Sequence, residues 1–322
     1  MTDATPQDTA TPPDAGGPGA ADQFERHRRY LTGLAYRMLG SVVEAEDAVQ
    51  EAYIRWHGTA TTHIGSTRAF LSKIVARICL DQMKSARAKR ETYVGSWLPE
   101  PVLDADTMGA ETASEYATDL SVGLMLALER LSPLERAAFL LHDVFDVGFD
   151  EVARLLDRNE ATCRQLAARG RIHVRRSRPR FTVQRDKGGK ILQAFMQAYR
   201  SGDIDTFANL LAEDAVLCTD GGGKRKAALN PIFGRARILA LFTGVARKRT
   251  EPLSDLRPAI INGLPGCVAT LAGGDIYTIA LEIVFDRIKA IYAVRNPDKL
   301  QHLCQDARHG RTTPVARNFP DA

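Results

Sequence analysis

"GFDEVARLLDRNEATCRQLAARGRIHV" runs from Gly148 to Val174. Apolar residues at helical spacing predict a short helix from Phe149 that buries Val152, Ala153 and Leu156. Asp157-Arg158-Asn159 then reads as a turn, with Asn159 capping a second helix. The second helix buries Cys163, Leu166, Ala167 and Gly170, and the small residues Ala153 and Ala167 let the two helices cross closely. Its outer face carries Thr162, Arg164, Gln165, Ala168, Arg169 and Arg171. Two short helices, a tight turn and a cationic outer face describe a helix-turn-helix whose second helix fits a DNA major groove. Arg reads guanine and Gln reads adenine through paired hydrogen bonds. Arg175, Arg176, Arg178 and Arg180 follow and suit phosphates, which add affinity without sequence information. An ordinary hairpin with a solvated basic face is the plainer alternative, but turn, packing and basic flank all agree with DNA binding.

The 322 residues suffice for two or three domains at the usual roughly 100–200 residues each. With 44% apolar and 25% charged residues the composition is that of a soluble globular protein. The net charge is only +4, so the placement of charge matters more than its sum. No stretch approaches the roughly 18 apolar residues of a membrane span. Residues 1–22, "MTDATPQDTATPPDAGGPGAAD", lack a basic start and an apolar run. They read as a disordered tail rather than a signal peptide. Cys79, Cys163, Cys218, Cys267 and Cys304 are scattered without a CxxC pair. They read as reduced core thiols, with neither metal nor cofactor implied and a cytoplasmic setting expected.

Upstream of the opening stretch, residues 23–92 read as helical. Phe24, Leu31, Leu34, Ala35, Met38 and Leu39 form one stripe, Gly40 ends the helix, and Ser41 and Ser66 cap later ones. Residues 93–119 form an acidic linker. From Glu91 to Glu129 there are eight acids and no Lys or Arg, and Pro99 and Pro101 block a helix. Residues 120–182 are helical again. From Arg158 to Lys190 eleven Lys and Arg face two acids. Residues 187–300 begin helical and then give the strand-like "GCVATLA", "IYTIALEIVFD" and "RIKAIYAVRN", an α+β domain with an antiparallel sheet. Residues 301–322 read as a tail.

"EAEDAVQEAYIRW", "AFLSKIVARICLDQMKSARAKR" and "LSPLERAAFLLHDVFDVGFDEVARLL" follow one another in this order. Together they resemble the RNA polymerase sigma factors of the extracytoplasmic-function (ECF) type, over about Gln23 to Phe181. The resemblance implies two all-α domains, regions two and four. It implies that Glu46, Asp47, Gln50 and Glu51 dock the β′ clamp helices of core polymerase, that the β flap is a further partner, and that promoter DNA is bound. The helix from Phe70 to Lys84 then reads the minus-ten element through Lys73, Arg77 and Lys84, with Arg87, Lys89 and Arg90 on phosphates. Residues 57–70 hold the loop that captures a flipped base in this family, but no capture residue stands out. Tyr53, Trp56 and Phe70 suit the core as well as they suit bases. The helix-turn-helix matches region four, which reads the minus-thirty-five element. The linker's carboxylates resemble a polyanion threading the polymerase channel.

A plain factor of this type ends near Phe181. Here "YVGSWLPEP", "DGGGK" and "NPDKL" occur together, as in the SigJ-like subgroup with its C-terminal SnoaL-like cone. Such folds include enzymes, and Asp214, Asp220, Tyr277, Glu282 and Tyr292 are the acid or base candidates, although no spacing singles out a pair. A small ligand in the cone is a further expected partner. The loop Asp220, Gly221, Gly222, Gly223, Lys224 has three readings: a phosphate or catalytic loop, a ligand sensor, or an interdomain contact. P-loop spacing is absent, and glycines let two backbones approach. The contact reading pairs the loop, with Asn296, Pro297 and Asp298, against Trp97, Leu98 and Pro99. In it Lys224, Arg225 and Lys226 face the acidic linker, and one domain regulates the other. Two other functions stand beside it: a polymerase-independent helix-turn-helix regulator, and a bifunctional protein whose C-terminal domain turns over a small molecule.

Overall fold

Gly40, with φ +74°, ends the first helical stripe at the point where an L side chain would be strained. The computed structural model describes residues 20–57, 66–91, 93–103, 121–177, 185–248 and 252–303. Helix α1 (Ala20–Leu39) stops at Gly40; α2 (Val42–His57) and α3 (Thr67–Glu91) follow. Ser41 Oγ accepts the Glu44 N–H at 3.2 Å, and Ser66 Oγ accepts that of Ala69 at 3.3 Å, so both expected caps form. The predicted stripe from Phe24 to Leu39 is fully buried. Trp56 is also fully enclosed beside Phe70, which assigns it to the core rather than to base stacking.

The second helical unit comprises α4 (Val122–Glu129), α5 (Pro133–Phe139), a π-helical turn (Leu140–Val144), α6 (Phe149–Leu156) and α7 (Glu160–Ser177). Ser132 and Glu135 form a capping box ahead of Pro133. Asp157 ends α6 in the left-handed region at φ +53°, and Asn159 Oδ1 accepts the Thr162 N–H at 2.8 Å. Both helical units share one hydrophobic core. Arg136 of α5, 1% exposed, spans the seam. It donates to Met38 O at 2.6 Å, Leu128 O at 2.8 Å and Glu129 Oε1 at 2.6 Å, capping the ends of α1 and α4 together.

The C-terminal domain packs α8 (Arg185–Ser201), α9 (Ile204–Leu210) and α10 (Arg235–Lys248) on one sheet. The strands are β1 (Leu211–Asp220), β2 (Ile232–Phe233), β3 (Leu253–Ile261), β4 (Leu264–Leu271), β5 (Ile276–Val284) and β6 (Arg287–Val294). Their order is β2-β1-β6-β5-β4-β3. The sheet is not purely antiparallel, because β1 runs parallel to β6. The helical start read for residues 187–300 ends at Leu210, inside "LLAEDAV"; from Leu211 the chain is strand, held between β2 and β6. Alternation divides β5 between two faces. Tyr277, Ile279, Leu281 and Ile283 meet Leu192, Phe195, Phe207 and Ile238 under the helices. The other face carries Ala280, Ala290, Tyr292 and Val294 and is covered by Leu98 of the linker and Val122 of α4. The linker from Tyr93 to Leu103 is extended, and Leu103 bridges Ile261 at the edge of β3. No helix among the described residues is long and apolar enough to cross a membrane.

Candidate nucleic-acid interface and the connector clasp

The packing of α7 determines which of its residues face outward. Cys163, Ala167 and Gly170 are buried. A Cβ on Gly170 would come within 2.8 Å of Phe139 Cβ, so glycine permits the close contact of α7 with α5. Arg164, Gln165, Arg169, Arg175 and Arg176 are exposed, while Thr162 and Ala168 are half-buried at the edge of the same face. Arg164 pairs with Glu160 at 2.6 Å, and its guanidinium lies 4.9 Å from the Phe149 ring centre. Arg171 departs from the expected reading set. Its Nε donates to Asp143 Oδ1 at 2.6 Å, a half-buried pair that ties α7 back to the π-helical turn. A guanidinium engaged by a largely enclosed carboxylate is a structural tether first.

On α3, Lys73 and Arg77 are exposed. The side chains of Lys84 and Arg87 and the loop at 58–65 lie outside the described residues. On α2, Glu46, Asp47 and Gln50 are exposed, and Glu51 is half-buried and paired with Arg55. Exposed Val43 and Ile54 lie at the helical spacing of Asp47 and Gln50, so that face mixes apolar and polar groups. Such a mixture suits a protein partner better than solvent alone.

The glycine loop builds a clasp. Asp220, at the end of β1, is fully buried. Its carboxylate accepts four hydrogen bonds: from Tyr93 OH at 2.6 Å, Leu98 N–H at 2.9 Å, Lys299 Nζ at 2.8 Å and Gly222 N–H at 3.0 Å. Lys299 also donates to Leu98 O at 2.5 Å and lies 4.3 Å from the Trp97 ring centre. Burial, with the Asp220 carboxylate next in effect, pushes the Tyr93 phenol well above its usual range. Gly222 and Gly223 have φ of +58° and +71°. A Cβ on Gly222 would collide with Asn296, whose Nδ2 donates to Tyr93 OH at 2.9 Å. Pro297 opens the short 3-10 helix Pro297–Leu300 that delivers Lys299.

Lys224 does not face the linker. It pairs with Asp298 at 2.7 Å on the surface, and Arg225 pairs with Asp275. The acid that meets the linker backbone is Asp220, and the cation beside it is Lys299, because a short extended strap presents N–H and C=O groups rather than carboxylates. Acidic residues beyond Leu103 lie outside the described residues until Ser121.

A second set of bonds joins the linker to α1 and α2. Glu100, 7% exposed, caps α2 by accepting the Val42 N–H at 2.7 Å. Burial raises its pKa above the ordinary value, so it is no part of a solvated polyanion. Tyr36 OH donates to Glu100 O at 2.7 Å and accepts from Asn262 Nδ2 at 2.7 Å. Asn262, at φ +51° in the Asn-Gly turn between β3 and β4, exchanges two bonds with the backbone of Val102. Trp97 packs on Gly40, where a Cβ would come within 2.5 Å of the indole.

The acid and base candidates of the cone are engaged elsewhere. Asp214 pairs with Lys289 on the surface, Glu282 accepts from Tyr292 OH at 2.8 Å on the linker side, and Tyr277 OH meets Tyr199 OH at 2.8 Å.

Two family models match: "Sigma-70 region 2" over residues 23–89 and "Sigma-70, region 4" over residues 121–174. The chain is 37% identical to the ECF RNA polymerase sigma factor SigJ of Mycobacterium tuberculosis over 86% of its own length and 92% of that protein's. The chain belongs to the ECF RNA polymerase sigma factors. It is also 30% identical to the "Probable ECF RNA polymerase sigma factor SigI" of the same organism, over 87% of this chain and 94% of that protein. The crystal structure of M. tuberculosis SigJ superposes with a TM-score of 0.66 at 32% identity, covering 87% of this chain and 98% of that one. As an ECF sigma factor, the protein partners core RNA polymerase and promoter DNA. Regions two and four are its two helical units, and a domain of helices packed on one sheet follows them. Sequence reading missed Tyr36, Tyr93, Glu100, Asn262 and Lys299 in the clasp. The "NG" at Asn262-Gly263 and the Lys of "NPDKL" were the available signals.

Proposed function

We propose that this sigma factor is held closed in cis by its SnoaL-like domain and opens when it engages polymerase and promoter. The observation that carries the reading is buried Asp220, which grips the linker through Tyr93 and Leu98 while that linker caps α2 through Glu100. Regions two and four must stand apart to reach two promoter elements. A shared core and a common strap favour the arrangement in which they do not.

Within this reading Glu46, Asp47, Gln50 and Glu51 dock the β′ clamp helices, with Val43 and Ile54 as apolar flanks, and region four meets the β flap. Lys73 and Arg77, with Lys84 and Arg87, read the minus-ten element. Thr162, Arg164, Gln165, Ala168 and Arg169 read the minus-thirty-five element, and Arg175 and Arg176 hold phosphates. Gly221, Gly222, Gly223, Asn296, Pro297 and Asp298 shape the clasp. The fused domain acts as a regulator, a reading supported by its grip on the linker through Asp220 and Lys299. The chain works in the cytoplasm, with the polymerase. Run-off transcription by core polymerase with and without this chain tests the reading. Transcription that depends on the chain, and rises when Asp220 is replaced by Asn, is expected; no dependence on the chain refutes it.

A further inference from the structure

Three large apolar side chains stand exposed beside the clasp. Val94 of the linker is 54% exposed, Leu229 63% and Phe233 60%. The linker and the glycine loop run side by side here. A Cβ on Gly223 would come within 3.3 Å of Val94 Cβ, and one on Gly95 within 3.7 Å of Leu229 Cδ2. Ser96 Oγ donates to Leu229 O at 3.4 Å. From Leu229, exposed Pro231 and then Phe233 follow within at most about 14 Å of chain. The register pairs Phe233 with Val216 and Ile232 with Leu217. Ile232 and Leu217 join the core under the helices, so alternation puts Phe233 on the opposite face, the one the linker covers at the centre of the sheet. At the β2 edge that face is left open.

Backbone and charge narrow what can cover it. Strand β2 is the last of the sheet, and Gly234 N–H donates to Ala215 O at 2.8 Å. Phe233 is therefore a non-hydrogen-bonded position, and its N–H and C=O point to the open edge, where a peptide backbone can meet them. The acids nearby are engaged: Glu213 by Arg235, Asp275 by Arg225 and Asp298 by Lys224. Lys226 and Arg237 flank the stretch, exposed and without an ion pair among the described residues. A second copy seated here would bring like charges together, because a two-fold contact repeats one patch on both sides. A lipid surface would leave the Phe233 backbone without a partner. An extended peptide with apolar side chains and carboxylates satisfies all three features.

We infer that Val94, Leu229 and Phe233 form a docking surface for an extended, acidic and apolar segment of a partner protein, and that this surface is whole only while the linker is clasped. Val94 belongs to the linker, whereas Leu229 and Phe233 belong to the C-terminal domain. Release of the linker splits the patch, so a partner bound across it favours the closed chain by mass action. The dependence on closure rests on the clasp reading above; the chemistry of the patch does not.

The test selects a displayed library of random twelve-residue peptides on the full chain, then titrates the enriched peptide, rhodamine-labelled, by anisotropy. Enriched sequences are expected to carry aliphatic or aromatic residues beside Asp and Glu. Leu229→Ser and Phe233→Ser are each expected to weaken the labelled peptide about ten-fold or more, the loss that follows truncation of an interface anchor. Run-off transcription by Phe233→Ser without peptide is expected to match the parent, which excludes a folding defect. Asp220→Asn changes no residue of the patch and is expected to weaken the peptide as well, because the linker is released. The inference is overturned if basic peptides are enriched, if no enriched peptide loses affinity in the Leu229 and Phe233 variants, or if Asp220→Asn binds as the parent does. It is equally overturned if Phe233→Ser abolishes a dimer of the parent in sedimentation, or abolishes its binding to vesicles of phosphatidylglycerol and phosphatidylcholine. Those results would give the face to a second copy or to a membrane. Peptide binding as expected, without any transcription that depends on the chain, would strike the regulatory reading and leave the docking surface standing.

Discussion

The carboxylate of Asp220 accepts the backbone N–H of Leu98 at 2.9 Å across 122 residues of chain. No substitution at Leu98 other than proline removes a backbone donor, so the specificity of this contact resides in Asp220 and in the glycines that let it approach. Lys299 balances the buried charge from the same domain.

Removing one partner of that pair leaves the other buried and uncompensated. Lys299→Met and Asp220→Ala are each expected to weaken the clasp by about 3–5 kcal/mol, the cost of breaking a buried ion pair. Lys224→Ala is expected to cost at most about 1 kcal/mol, because its pair with Asp298 is exposed. Limited proteolysis of the linker and run-off transcription check the contrast. Equal effects of Lys224 and Lys299 variants would contradict the geometry.

Trp97→Ala and Lys299→Met touch the same indole–ammonium contact. Their effects on transcription should share a sign and be non-additive, with a coupling on the order of 0.5–3 kcal/mol. Gly40→Ala should act in the same direction, because a methyl there meets the indole and φ is +74°.

Glu100 supplies a pH signature. Its pKa is raised by burial, so the folded state holds that proton more tightly than the unfolded chain does. The associated stability is present below the ordinary carboxyl value of 4.5 and is lost as pH rises through the raised folded value. Glu100→Gln removes this term. The stability of that variant relative to the parent should therefore climb from pH 4 toward neutrality in denaturant unfolding. A flat difference would show that the carboxyl is not desolvated.

Base reading separates from phosphate binding. Gln165→Ala or Arg169→Ala should cost about 1–3 kcal/mol and relax preference at one base pair. Arg175→Ala or Arg176→Ala should weaken binding to all sequences alike and lower the salt dependence. Arg171→Ala should chiefly lower stability through Asp143. Base preferences unchanged in the Gln165 and Arg169 variants would reject the assignment. On α2, Asp47→Ala with Gln50→Ala should weaken co-purification with core polymerase while leaving the helix content intact.

Local rules made much of this legible. The Phe24 to Leu39 stripe, the Asn159 cap and the Gly170 contact follow from spacing and capping alone. Strand β1 was hidden because "LLAEDAV" carries strong helix formers, and neighbouring β2 and β6 override that preference. The contact between the glycine loop and the linker was legible as a motif pair, but its chemistry was not. Lys224 stands beside the glycines in sequence, whereas Lys299 reaches Asp220 only after the chain has crossed the sheet. Tyr36 and Asn262 are ordinary residues locally; their roles exist only where three domains meet.

The central claim is that the clasped chain is closed and must open to work. The most direct measurement is the distance between probes at exposed Arg29 of α1 and exposed His173 of α7, introduced as non-canonical residues and read by electron–electron spin resonance. The account predicts one short, narrow distribution in the free chain, a broadened one in Asp220→Asn, and a long one in the complex with core polymerase and promoter. A distribution in the transcribing complex that matches the free chain would contradict it.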